Sequence, residues 1–346
     1  MFLSERQRAI LTIFERGAFA ISEVLEKLSG RGYQISKITL NRELKFLEEN
    51  NYITVTGRGK ASSYQLSNSY KLIRPIDFAW YFSINPDDRQ VQDSFNHDIF
   101  SSLSEIFTEA EITELNKLQK LHLNNINKSS KSLSHKELER LLIELSWKSS
   151  RLEGNTYTLL DTEKLITKKI TSEGHSKEEA AMILNHKKAL DYVIKHKAKF
   201  KQINIKQIQK IQSLLVEDLD IATGFRTKKV GILGTSYKPL KSQAEIKQAM
   251  LKLCKSINQE PYPLAKALIS LAMISYLQAF EDGNKRTARI VSTALLLAYN
   301  YCPLSYRNVD EYDYKKSLIL FYEQNNLVYL KRIFMDQVKF SVNEYF

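Results

Sequence analysis

Between Tyr276 and Arg289 the chain reads YLQAFEDGNKRTAR. An apolar helix stops, a short loop with Gly283 follows, and a new helix begins near Lys285. Gly283 and Asn284 let several backbone N–H groups converge on one point, and such a nest at a helix N-terminus binds phosphate oxygens. Arg286 and Arg289 are three apart on the next helix, so both reach one polyanion. Asp282 supplies a carboxylate oxygen suited to Mg²⁺, an ion that bridges phosphates. These residue types at this spacing describe a nucleoside-polyphosphate site. It is not a P-loop, since no GxxxxGK[ST] run is present.

A helix must carry each half of that loop, and the surrounding pattern supplies both. Apolar periodicity predicts helices over 263–280 and 285–299, preceded by others over 136–152, 177–199, 205–219 and 242–257. Helix with breaks follows over 310–342. The run KKVGILGTSYKP after Arg226 is β-branched, then Gly-punctuated, and reads as a small hairpin. Upstream, Ser149 and Glu153 in SSRLEGNTYT stand four apart on one helix face, and Gly154 stops that helix.

The first 70 residues form a separate unit. Ser4 and Ser36 cap two of three short helices. Leu40, Leu44 and Leu47 face inward from the third, and strands near 52–56 and 64–66 flank a basic turn. Three helices and a basic hairpin look like a winged helix-turn-helix. Its third helix would present Lys37, Asn41, Arg42 and Lys45, and its wing Arg58 and Lys60, to base edges and phosphates of double-stranded DNA. A protein-binding winged helix with merely solvated charges is the other reading. Residues 71–134 read as a connecting region, helical from Phe95 to Lys120, with Asn124–Ser132 as the best linker.

Composition sets outer limits. The 346 residues carry 51 Lys plus Arg against 39 Asp plus Glu, a net charge of +12. That balance permits an anionic partner. Eight lysines against one aspartate between Lys187 and Lys210 read as a solvated helix face. Only 11 Gly and 6 Pro disfavour a turn-dense all-β chain. No run is long and apolar enough to predict a membrane span, and the N-terminus lacks a signal-peptide core. Cys254 and Cys302 form no CxxC pattern, so a zinc site and a disulfide framework are not expected, and a cytoplasmic setting is.

The segment Gln278–Arg289 resembles the motif of the Fic/Doc (Fido) family, His-x-Phe-x-(Asp/Glu)-Gly-Asn-(Gly/Lys)-Arg-x-x-Arg. Phe280, Asp282, Gly283, Asn284, Lys285, Arg286 and Arg289 match, and Gln278 stands where the family has its histidine. Ser149, Glu153 and Gly154 fit the family's inhibitory pattern, and the resemblance runs from about residue 136 to 346. It implies a mainly α fold: an all-helical Fic-type domain at 135–346 with a β-hairpin flap and an inhibitory helix at 136–154. A winged helix at 1–70 joined to such a domain resembles a bacterial arrangement.

It further implies that Gly283, Asn284 and Lys285 hold the phosphates of ATP and that Asp282 holds magnesium. Arg286 would reach the β/γ end. Arg289 would hold the γ-phosphate or, in the autoinhibited state, pair with Glu153. The family histidine takes a proton from a target hydroxyl; a Gln amide has no basic nitrogen at neutral pH. Two functions therefore remain open. One is a nucleotide-responsive, DNA-binding regulator that does no transfer. The other is a protein nucleotidyltransferase (AMPylation or related transfer to a protein hydroxyl) of unusual chemistry. No other histidine follows residue 196, and His186 reads as a surface residue. A homodimer would suit a winged helix reading two half-sites.

Overall fold

The computed structural model describes residues 3–57, 59–89 and 91–346, and the chain divides into Met1–Pro75 and Ile76–Phe346. The first unit runs α1 (Glu5–Phe14), β1 (Phe19–Ala20), α2 (Ile21–Ser29), α3 (Lys37–Glu49), β2 (Ile53–Thr56), β3 (Ser63–Leu66) and α4 (Asn68–Ile73). Ser4, Ser36 and Ser67 each accept a backbone N–H at a helix start. The sheet has the order β1-β3-β2, antiparallel throughout, with Val55 opposite Tyr64. Leu40, Leu44 and Leu47 point into a core with Ile10, Phe14, Val24, Leu28 and Ile53, as their spacing predicts. The two-residue β1, which sequence did not reveal, gives β3 a second partner.

The second unit is helical. It starts with α5 (Phe78–Ser83), α6 (Glu109–Lys128), α7 (Lys131–Arg151), α8 (Leu159–Lys168), α9 (Lys177–Lys195) and α10 (Ile205–Leu215). It continues with α11 (Gln243–Gln259), α12 (Pro263–Leu277), α13 (Asn284–Ala298), α14 (Glu311–Gln324) and α15 (Val328–Tyr345). Every residue of α12 from Leu264 to Leu277 is buried, so this helix, apolar on all sides, is the axis around which the others pack. Its closest neighbour is α13, which is buried along nearly its whole length.

Three expectations need correction. Residues 76–134 are not a separate connector. The buried Glu323 carboxylate accepts from Tyr81 Oη at 2.7 Å and pairs with Arg89 at 3.4 Å, while Phe95 stacks on Tyr276. The expected linker 124–132 is mostly helix: α6 runs to Lys128, Ser130 caps α7, and the polar residues there face solvent. The helix expected over 95–120 is instead a 3₁₀ turn at His97–Ser102, then α6, started by a Thr108–Glu111 capping box.

The hairpin expected after Arg226 has no strand ladder. The Arg226 guanidinium closes that loop in its place, donating to Leu240 O at 2.6 Å and to Lys228 O at 2.8 Å. Gly234 (φ +84°) makes its turn, next to the 97% exposed Leu233.

Because Leu268 and Leu271 are fully buried in α12, substituting either by Ala is expected to cost about 2–5 kcal/mol. Leu160→Ala, on the surface of α8, should stay within about 0.5 kcal/mol. Urea unfolding read by tryptophan fluorescence checks this for the second unit alone, since Trp80 and Trp147 both lie there.

Candidate active site

The loop between α12 and α13 is held by its own backbone and one asparagine. Gln278 ends α12 in the left-handed region (φ 47°), which reverses the chain. Arg226 Nε donates to Gln278 O at 2.6 Å, and Arg226 N–H donates to Ala279 O at 3.0 Å. Asn284 then closes the loop. Its Oδ1 accepts from Phe280 N–H and its Nδ2 donates to Phe280 O, both at 2.9 Å. Gly283 (φ +81°) starts α13 without any side-chain cap. The first amides of α13 are therefore left for a ligand at the positive end of the helix dipole.

The motif's cations are all matched by carboxylates of the same chain. Glu153 lies just past the end of α7, where Gly154 (φ +98°) turns the chain away; the helix spans 131–151, not 136–154. Its Oε1 meets Arg289 Nη2 at 2.8 Å and its Oε2 meets Lys285 Nζ at 2.9 Å. Arg289 also donates from Nε to Ser149 Oγ and from Nη2 to Ser149 O, both at 2.8 Å. Arg286 Nη2 meets Asp282 Oδ2 at 2.8 Å. Burial alone would push the Glu153 carboxyl up. The Arg289 and Lys285 charges overcome this and hold it at about 2.

A cleft of about 200 Å³ opens above the loop, walled by Gln278, Gly283, Lys285 and Arg286, with Glu153 on one side and Ile232 and Leu233 across it. The structure thus brings together Ser149, Glu153, Gln278, Asp282, Gly283, Asn284, Lys285, Arg286 and Arg289. The Gln278 amide donates to Ser275 O at 2.7 Å. Glu281 also borders the cleft. Sequence reading missed Arg226, an arginine whose every donor is spent on this loop and its flank. It also misplaced His186. That residue is fully buried on α9, its Nδ1 is 3.3 Å from Ser146 Oγ, and burial followed by the Arg289 and Arg286 charges pushes its imidazole well below the usual value. The apolar positions around it were the available signal.

In the first unit, Lys37, Asn41, Arg42 and Lys45 are exposed on α3, next to the 68% exposed Ile38. Lys45 pairs with Glu49 at 3.7 Å. Arg58 lies outside the described residues. The Lys60 backbone belongs to a 3₁₀ turn at Gly59–Ala61 between β2 and β3, and its side chain lies outside the described residues.

Comparison with known proteins agrees with this geometry. Residues 202–296 match the model of the Fic/DOC family. The chain is 26% identical over 185 residues to a "Protein adenylyltransferase Fic" from Nematostella vectensis, a match covering 49% of this chain and 41% of that protein. A protein of the same name from Drosophila melanogaster is 26% identical over 159 residues, covering 44% and 32%. The chain thus spans less than half the length of these curated relatives. Fic-1 from C. elegans superposes with a TM-score of 0.59 at 17% identity, covering 68% of this chain and 71% of that one. A Fic-domain signalling protein from Bacteroides thetaiotaomicron gives 0.56 at 20% identity, covering 67% and 96%. The chain carries a Fic/DOC domain, and the fold is mainly helical, as the motif leads one to expect.

The Glu153 pKa sets a pH signature. Its folded value lies below the unfolded one, so its stabilisation is complete above about pH 4.5 and is lost as pH falls towards about 2. Glu153→Gln is expected to cost about 3 kcal/mol at neutral pH, at 1.36 kcal/mol per pKa unit. The gap to wild type should close in acid. Urea titrations at neutral pH and near pH 3 measure it; a gap independent of pH would show that the charge contributes nothing.

Proposed function

We propose that this protein binds ATP with Mg²⁺ at the loop before α13, is autoinhibited by Glu153, and acts as a nucleotide-responsive, DNA-binding regulator rather than as an efficient transferase. The observation that carries the reading is that Lys285 and Arg289, two cations aimed at one small cleft beside an uncapped helix start, are both occupied by one carboxylate. A phosphate in the cleft would compete for the same two cations, and Glu153 would have to leave first.

In this reading the amides of Gly283, Asn284 and Lys285 cradle the phosphates, Arg286 contacts the β/γ end, and Arg289 receives the γ-phosphate once Glu153 withdraws. Among the described residues no three His, Cys, Asp or Glu form a metal cluster. The donor set suits an ion that arrives with the nucleotide: Asp282 on the cleft wall would supply one oxygen, and phosphates and water the rest. Magnesium would neutralise phosphate charge there.

Gln278 favours the regulator. Its amide can orient a hydroxyl but cannot take its proton, and losing a general base typically costs 10²–10⁴ in rate. The first unit supports the second half of the proposal. Its element order α-β-α-α-β-β with a β1-β3-β2 sheet is that of a winged helix, and an exposed Lys–Asn–Arg–Lys face on α3 suits the major groove.

A transferase remains the second reading, favoured by the relatives' names and by an intact loop around Gln278. In it a target hydroxyl oxygen would attack the α-phosphorus, pyrophosphate would leave, and the proton would pass to solvent.

Calorimetric titration of Mg-ATP tests the core of the proposal. Glu153→Gly should bind at least 10-fold more tightly than wild type, and Arg289→Ala should not show that gain. No binding to either would sink the nucleotide site. For the regulator, DNA binding should weaken with salt and fall about 10-fold on Arg42→Ala with Lys45→Ala. For the transferase, labelled ATP should mark protein strongly only when Glu153→Gly is combined with Gln278→His.

A further inference from the structure

At the end of α13 opposite the phosphate loop lies a second cavity, about 430 Å³, that the function above does not use. Most of its wall is apolar, with Ile126 from α6, Leu138 from α7, Leu297 from α13 and Pro303 beyond it. Its size falls in the range of small-molecule sites, and sites of that kind place a few polar groups on an apolar wall.

Two buried polar atoms on this wall have no partner. His122 is only 3% exposed, and its Nδ1 makes no hydrogen bond within the protein; nor does the buried Oγ of Ser134. Leaving such groups unpaired costs about 1–3 kcal/mol each, so they are normally satisfied by something. One comes from α6 and the other from α7, so the pair is not a local turn bonding to itself.

The charge beside the cavity selects the occupant. Lys197 borders it, exposed and with no ion pair among the described residues. Lys195, Lys199 and Lys201 are exposed on the same turn. His135 lines the rim, and no acidic residue lines the cavity. Burial holds His122 at about 4, so at neutral pH its ring is uncharged and acts as a hydrogen-bonding group, with the cation coming from Lys197.

We propose that this cavity is a binding site for an amphiphilic monocarboxylate, a medium-length apolar chain lying against Ile126, Leu138 and Leu297 with its carboxylate beside Lys197. The hydroxyl of Ser134 and the ring of His122 supply its polar contacts. The site is independent of the nucleotide loop, and its test does not depend on activity.

The probe is sodium decanoate, titrated calorimetrically into the full-length protein, with decanol and decylammonium as matched chains lacking the negative charge. Decanoate should bind in the micromolar range and at least 10-fold more tightly than either. Lys197→Ala, at an exposed position, should weaken it about 10-fold, and Ser134→Ala by a smaller factor. Leu297→Trp, which fills the partly buried lip, should abolish it; circular dichroism of each variant establishes that the fold is kept. Absence of decanoate binding up to millimolar concentration overturns the proposal and leaves ordered water as the partner of His122 and Ser134. Equal binding of decanol, or binding that survives Leu297→Trp, overturns it too.

Discussion

A guanidinium with no access to water is tolerable only when a carboxylate and hydrogen bonds replace its hydration, and Arg289 is in that position. Its pairing dictates much of the second unit. The end of α7 must bring the Ser149 hydroxyl and carbonyl to it, so α7 lies against α13. Gly154 must turn the chain just there, so that Glu153 faces back. Lys285 then shares the same carboxylate from one turn earlier on α13. Removing the acid without supplying another anion strands a buried charge. A structural salt bridge and an inhibitory plug are therefore not competing descriptions of Glu153: an anion must stand there, and the functional question is which one.

The same logic explains where rigidity is placed. α12 is sheathed on all sides, α13 nearly so, and the loop joining them is fixed by Arg226 and by the paired bonds of Asn284 rather than by packing alone. The mobile-looking side of the cleft is different in kind. Residues 226–240 are tethered at both ends by one guanidinium, and they present Ile232 and Leu233 across the cleft with no ladder to stiffen them. A firm phosphate cradle thus faces a wall that can adapt to what lies opposite.

The phosphate loop was legible because its chemistry is local: Asp282 to Arg289 is a contiguous run, and so were the helices that flank it. The third-helix leucines were equally legible from their spacing. What could not be read depends on partners far away in the chain. Residues 76–108 looked like a connector because Glu323 and Tyr276, which hold them, are more than 160 residues distant. The 124–132 stretch looked like a linker because a solvent-facing helix surface has a linker's composition. The segment after Arg226 has strand-like residues, but whether they pair is decided by what closes the loop. His186 shows the opposite failure, since a polar residue among lysines proved to be core.

The left-handed backbone at Gln278 carries a consequence of a different kind. That conformation is uncommon for side chains, and histidine is among the residues that enter it more readily than most. The contacts fixing it run through main-chain atoms and Arg226; the amide contributes only a local bond to Ser275. Glutamine and histidine codons differ in their third base alone. A lineage carrying this chain is therefore one nucleotide from placing an imidazole in a loop already shaped to receive it, and no compensating change elsewhere in the fold is needed to cross that step in either direction.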